Sequence, residues 1–317
     1  MKELINYCPV DGYPSDIPRK QEVIQQFLQK TGIDGLELFL YCNKPLIHSY
    51  RETTVGVHLK YWPYWVEFWN GNTENLLHTL GTPEKIQEFY FGARNKDEWI
   101  VAIKENIKRA LQEEPEYLVW HVSDSDNEEA FTYQFKHSDQ EVIQATIEVF
   151  NQVSSVIPKT VTVLFENLWW PGMTLLNKEL TANFFAELNC DNVGIMLDTG
   201  HLMNTNRSLR TEKEALRYIC DTISALGSLK NKIQGIHLNS SLSGEYVQDF
   251  LDKRAQIKLN SNIMPHIIKI DQHLPWKTQE LTELLQLIEV KYLVHELYYS
   301  NFEELESLIA KQKSLLK

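Results

Sequence analysis

Residues 161–203 read VTVLFENLWWPGMTLLNKELTANFFAELNCDNVGIMLDTGHLM, and this stretch decides the fold. An apolar run from Val161 to Glu166 is followed by a segment with helical spacing, Lys178 to Leu188, and then by a second apolar run, Val193 to Asp198. Short runs rich in β-branched and aromatic residues read as strands, and two strands separated by a helix-length segment pair in parallel, because the crossover needs that length. Both runs end on an acid, which packing alone does not call for.

The same unit recurs in both directions. Upstream lie Leu4 to Val10, Gly35 to Leu40, Thr54 to Leu59 and Tyr117 to Val122; downstream lie Ile233 to Leu238 and Tyr292 to Glu296. Helical periodicity fills Arg19 to Lys30, Glu98 to Glu113, Asp139 to Val153, Thr211 to Leu229, Thr278 to Glu289 and Asn301 to Leu316. Eight strand–helix units predict a closed (β/α)8 TIM barrel, an α/β fold forming a single domain over residues 1–317. A doubly wound open sheet is the alternative, weakened because no GxGxxG follows the first run. Three long connections, near 60–96, 123–138 and 239–277, follow strand ends, the side on which barrel enzymes build their sites. Each taken alone also reads as an ordinary surface insertion.

Bulk properties narrow the function. A chain of 317 residues with 43% hydrophobic and 11% aromatic content buries a large core. The net charge of −12 disfavours nucleic acid or anionic lipid as a partner without excluding a local basic cleft. Cys8, Cys42, Cys190 and Cys220 lack CxxC pairing, so reduced thiols and a cytoplasmic location are expected. No run reaches the roughly 18 apolar residues of a membrane span.

A Glu, Asp or His falls near the end of nearly every predicted strand: Glu37 in GLELF, His58 in VGVHLKYWP, His121 in YLVWHVSDS and Glu166 in VLFENLWWPG. Asp198 and His201 follow in IMLDTGHLM, His237 in QGIHLNS and Glu296 in YLVHELYYS. Buried ionisable groups are costly unless paired or bound to a metal, so a ring of them at one mouth calls for a cation. Mixed His and carboxylate ligands suit Zn²⁺, Mn²⁺, Co²⁺ or Fe²⁺ better than Ca²⁺. Singly, each has a plainer reading: a hydrogen-bonded core histidine at His58 or His121, or a helix cap at Glu166-Asn167. Their recurrence at the same strand end favours the metal. His295 alternates away from Glu296 and faces the helices, and His266 carries little signal.

At FENLWWPG, LDTGH, GIHLN and the HEL of the last strand, the chain resembles the xylose isomerase-like TIM barrels, which include sugar isomerases, ketose 3-epimerases and endonuclease IV enzymes. The resemblance spans essentially the whole chain. It implies a metal held by Glu166, Asp198, His237 and Glu296, with Glu166 and Glu296 as the catalytic acid/base pair that moves a proton through an enediolate. His201 would bind substrate or a further metal. The endonuclease IV branch adds a DxH motif, matched here by Asp271 and His273 in IDQHLPW; with His201 these would bind a third ion, while His58 and His121 would help bind the first. Asp271 beside His273 reads equally as a loop Asx-turn. FENLWWPG departs from the more polar sequence of that branch.

Trp62, Trp65 and Trp69 follow His58, Trp169 and Trp170 follow Glu166, and Tyr298 and Tyr299 follow Glu296, which makes an aromatic mouth suited to sugar stacking. The same rings would also pack under outer helices. Substrate contacts are expected at His201, Trp62, Trp169 and Glu37; Lys60 and Arg207 are weaker candidates for an anionic group. The sequence therefore favours an isomerase or epimerase of a small sugar or sugar phosphate, using one to three divalent ions (Mn²⁺, Co²⁺, Zn²⁺ or Mg²⁺), with a homo-oligomer allowed. A polynuclear-metal phosphoesterase is the alternative, and a non-catalytic metal- or sugar-binding barrel the third reading.

Overall fold

The strand alternation expected from the sequence sorts the buried residues into two sets. Leu4, Tyr117, Val119, Leu164, Met196, Tyr292 and Val294 pack with one another inside the barrel. Their neighbours in sequence, Ile5, Leu118, Phe165, Ile195, Leu197 and Leu293, pack outward against the helices. Successive side chains of a strand point to opposite faces, so one short apolar run supplies both layers. A computed structural model describes all residues except 10–17, 42–45, 47, 254–261 and 317. The expectations for Val10, Cys42 and part of the 239–277 connection lie outside the described residues.

The strands are β1 (Lys2–Tyr7), β2 (Gly35–Phe39), β3 (Thr54–His58), β4 (Tyr117–His121), β5 (Thr162–Glu166), β6 (Val193–Asp198), β7 (Ile233–His237) and β8 (Tyr292–His295). All pair in parallel and in chain order, and β1 pairs with β8 through Lys2↔Tyr292 to Ile5↔His295. That pairing closes the sheet into a (β/α)8 barrel and excludes the open doubly wound arrangement. The register shifts twice, between Leu36 and Glu37 where β2 meets β3 and between Ile195 and Met196 where β6 meets β7. Bulges of this kind bend a strand and re-aim its last side chains, here next to Glu37, His58, Asp198 and His237.

Helices follow the strands where periodicity placed them. Lys96–Leu111, Asp139–Val153, Lys178–Glu187 and Glu212–Ala225 all start on side-chain caps, from Asn95, Ser138, Asn177 and Thr211. Ser138–Glu141 and Thr211–Glu214 are full capping boxes, which satisfy the free N–H groups of the first turn. The long connections hold helices of their own: Val66–Trp69, Thr73–Leu80 and Pro83–Phe89 in the first, Asn127–Thr132 in the second, and Gly244–Asp252 and Met264–Ile270 in the third. Among the described residues no helix is long and apolar enough to cross a membrane.

Candidate metal centre

At the C-terminal rim, the inward face of four strands changes from apolar to ligand type: Val119 precedes His121, Leu164 precedes Glu166, Met196 precedes Asp198 and Val294 precedes Glu296. The side chains converge in three groups whose ligand atoms lie within 4.8 Å of one another: His58, His121 and Glu166; Glu166, Asp198, His237 and Glu296; and His201, Asp271 and His273. All are buried except His121, which is partly exposed.

Glu166 joins the first two groups. Its Oε2 lies 2.8 Å from His121 Nε2 and 3.1 Å from His58 Nε2, while its Oε1 lies 3.2 Å from both His237 Nδ1 and His201 Nδ1. On the far side His237 Nδ1 is 3.2 Å from Glu296 Oε2. Glu166 Oε1, His237 Nδ1 and Glu296 Oε2 are buried and in near contact, yet none makes a well-aligned hydrogen bond. Polar atoms so arranged are aimed at a common point, and buried polar groups seldom go unpaired otherwise. The donor set of imidazole and carboxylate fits a Zn²⁺-, Mn²⁺- or Co²⁺-type ion.

The histidines are anchored from behind. His58 Nδ1 donates to Leu59 O at 3.0 Å, His201 Nδ1 to Asn167 O at 2.9 Å, and His273 Nδ1 to Glu296 O at 3.0 Å. In the neutral ring each bond would leave the lone pair on Nε2, which faces the groups just described. His237 is reversed, with Nε2 donating to Glu37 and Nδ1 facing the site. In the third group Asp271 Oδ2 lies 2.7 Å from His273 Nε2 and 3.4 Å from His201 Nε2. Asp271 is thus a buried partner of two histidines rather than a solvent-facing turn residue. His273 adopts φ +45°, a left-handed conformation costly for a side chain of this kind, and holds it where its ring meets Asp271.

Electrostatics pulls these groups far apart. Burial opposes charge on His201 and His237, but neighbouring carboxylates outweigh it and hold both imidazoles well above the usual range. His273 is raised to about 10, against burial, by Asp271 and Glu296. His121 goes down to about 4 because burial dominates. Burial also pushes Glu296 well up, whereas Glu166 is held well below the ordinary carboxylate range, His121 and His237 outweighing its burial. A bound ion would take the place of the imidazole protons, so loading is coupled to pH.

Two asparagines that follow candidate ligands in FEN and HLN buttress the site without having been picked out as site residues from the sequence. Asn167 donates its amide N–H to Asp198 O at 3.0 Å and accepts from Asp198 N at 2.9 Å. Asn239 Nδ2 donates to Asp198 Oδ2 at 2.9 Å, and His201 N to Asp198 Oδ1 at 2.6 Å. Their only sequence signal is an Asn immediately or two residues after a ligand.

The cleft above the groups encloses about 1040 Å³ of space open to solvent and is lined by Phe39, Tyr41, Tyr298 and Tyr299 beside His58, His121, His201, His273 and Glu296. Several expected substrate contacts lie elsewhere. Trp62 bonds Phe89 O through Nε1 at 2.9 Å and packs edge-on to Trp99, so it belongs to the helix layer. Trp65 bonds Ser123 O and Trp69 bonds Glu148, likewise outside the cleft. Glu37 is fully buried beneath His237 rather than at the mouth. Trp169 stays near, with its ring 5.1 Å from that of His201 and Trp170 packed behind it. Lys60 lies over the Trp62 and Phe91 rings and Arg207 over Tyr133, neither in the cleft. His295 points outward as expected, bonded to Gln312 at 2.9 Å, and His266 bonds Tyr246 at 2.8 Å away from the groups.

A parallel eight-stranded barrel whose C-terminal rim presents three such ligand groups is a recognisable class of protein. The chain belongs to the xylose isomerase-like TIM barrel family, whose model matches residues 25–307. Among solved structures it is similar to endonuclease IV from Thermus thermophilus, with 13% identity, a TM-score of 0.53 and coverage of 100% of this chain and 99% of that one. A D-tagatose 3-epimerase-like protein aligns at 12% identity and TM-score 0.51, covering 100% and 97%. The IOLI protein with a bound zinc atom aligns at 16% and 0.50, covering 99% and 96%. At these identities the likeness shows the fold. No curated protein matches the chain.

Proposed function

We propose that this chain is a divalent-metal-dependent phosphoester hydrolase holding up to three ions. The observation that carries the reading is the single carboxylate of Glu166 serving two ligand groups, with a third group of His201, Asp271 and His273 within the same cleft. A proton-transfer site on one ion would need only Glu166, Asp198, His237 and Glu296, whereas His58, His121, His201, Asp271 and His273 are arranged as two further ligand groups. When bound, closely spaced ions supply Lewis acidity and a water of lowered pKa, the chemistry that in-line displacement at phosphorus needs. Glu166 would set the separation of the first two sites, and the backbone bonds behind His58, His201 and His273 would hold their rings against reorientation. Phe39, Tyr41, Tyr298 and Tyr299 offer ring faces to the group attached to the phosphate and limit water at the cleft. No Lys or Arg lines the cleft among the described residues, and the ions themselves would balance the substrate's negative charge.

A second reading, epimerisation or isomerisation of a sugar, is favoured by one observation: Glu166 at the end of β5 and Glu296 just past β8 both lie 3.2 Å from His237 Nδ1, which brings to one place the two carboxylates that a proton exchange would use. One experiment separates the readings. Protein loaded with Zn²⁺ or Mn²⁺ is assayed on a small phosphodiester, a phosphomonoester and an abasic-site duplex, and in parallel for deuterium uptake from solvent into ketoses. Phosphoester cleavage with two or three ions per chain is expected. Deuterium exchange with one tightly held ion and no cleavage would overturn the hydrolase reading.

A further inference from the structure

We infer that Glu37 and Tyr117 are positioning residues that fix the ring of His237 and thereby set the ion affinity of the group Glu166, Asp198, His237 and Glu296. The inference rests on reading that group as a metal site. Glu37, Tyr117 and His237 are each without solvent exposure. Glu37 Oε1 lies 2.9 Å and Oε2 3.1 Å from His237 Nε2, and Oε2 accepts from Tyr117 Oη–H at 2.7 Å. Two donors converge on Glu37: its carboxylate accepts from the Tyr117 hydroxyl on one side and from the Nε2–H of His237 on the other. With Nε2 committed, the ring presents Nδ1 to Glu166 and Glu296. A carboxylate behind a metal-binding imidazole also makes it a stronger donor.

Three strands are shaped to put this line in place. The register shift directly before Glu37 sets it opposite Gly56 of β3. A Cβ at Gly56 would stand 2.1 Å from Cζ and 2.5 Å from the hydroxyl of Tyr117, so the glycine gives the tyrosine ring the room it needs to reach Glu37. Tyr117 is held on its other side by Tyr292, the ring centroids 4.4 Å apart. An apolar side chain at 37 would fill the same barrel layer without the cost of burying a carboxylate, which leaves the bond to His237 as the reason for the acid.

The test uses the full chain with Glu37→Gln, Tyr117→Phe and the double substitution. Dissociation constants for Zn²⁺ and Co²⁺ are measured by competition with a chelator, together with the Co²⁺ absorption spectrum and urea unfolding in chelator. E37Q is expected to weaken the affected ion roughly 10- to 100-fold and to shift its Co²⁺ spectrum, with the ion at His201, Asp271 and His273 retained. Y117F is expected to weaken the same ion less, and the double variant to match E37Q, because Tyr117 acts through Glu37. Wild-type affinity and spectrum in E37Q would overturn the inference even if urea stability falls, since a purely structural role predicts that result. If E37Q does not fold, Y117F carries the test, and unchanged affinity there overturns it. Wild-type protein that binds no ion would overturn the metal reading itself, and this inference with it.

Discussion

Replacing Glu166 by Gln strikes at the residue shared between two ligand groups, and the expected loss can be worked out against a control at Asp271, which belongs to one group only. Glutamine keeps the shape but offers a single neutral oxygen, so E166Q should weaken two sites and Asp271→Asn one. An ion held at about 100 times its dissociation constant stabilises the folded state by roughly 2.7 kcal/mol, so E166Q forfeits about 5 kcal/mol of ion-dependent stability and D271N about half that. The assay pairs elemental analysis of desalted protein with urea unfolding, in the presence of ion and in chelator. Subtracting the chelator curve removes what each substitution does to the ion-free chain, where Glu166 also offsets the charge of His237. Equal losses of ion and of ion-dependent stability in the two variants would refute the shared role.

Other outcomes follow from the same geometry. Because the pKa of His273 rises from 6.5 to about 10 in the folded chain, its contribution to ion-free stability is complete below pH 6.5 and is lost as pH rises toward 10. In chelator, the stability gap between wild type and His273→Ala should therefore narrow across that window; a gap that stays constant contradicts the assignment. Gly200→Ala places a Cβ 1.9 Å from Asn239 Oδ1, displacing the side chain that orients Asp198. A loss of about 1–3 kcal/mol by urea unfolding and weaker ion binding are expected. His295→Ala breaks the bond to Gln312 on the outer face and should cost about 1–3 kcal/mol with ion content unchanged. A fall in ion content would mean that β8 does not alternate as described.

Much of the barrel was legible because its signals are local. Val193–Asp198 and Asp139–Val153 begin and end where the sequence placed them, since Asp198 both ends its strand and caps the next helix and Ser138 starts a capping box. The inward direction of Glu37 was equally legible from the alternation in GLELF. Its depth was not, because depth depends on the register shift against β3 and on the space left by Gly56, both properties of other strands. Trp62 shows the same limit: a loop indole can fold toward the mouth or toward the helices, and Trp99, far along the chain, decides it. Most of the rim ligands were readable as residue types at strand ends. That Glu166 divides its two oxygens between groups was not, since this is fixed only when β3, β4, β5 and β7 are brought together.

The two-point grip of Asn167 on the main chain of Asp198 ties the tip of β5 to the tip of β6 without using either acid's carboxylate. The main-chain separation of Glu166 and Asp198 is therefore held by Asn167, while this tie leaves their carboxylates to face whatever lies between them. An ion held between the two acids would meet a main-chain spacing set by that tie. Selectivity among metals would then depend on strand spacing, and so on Asn167, a residue that touches no ion itself.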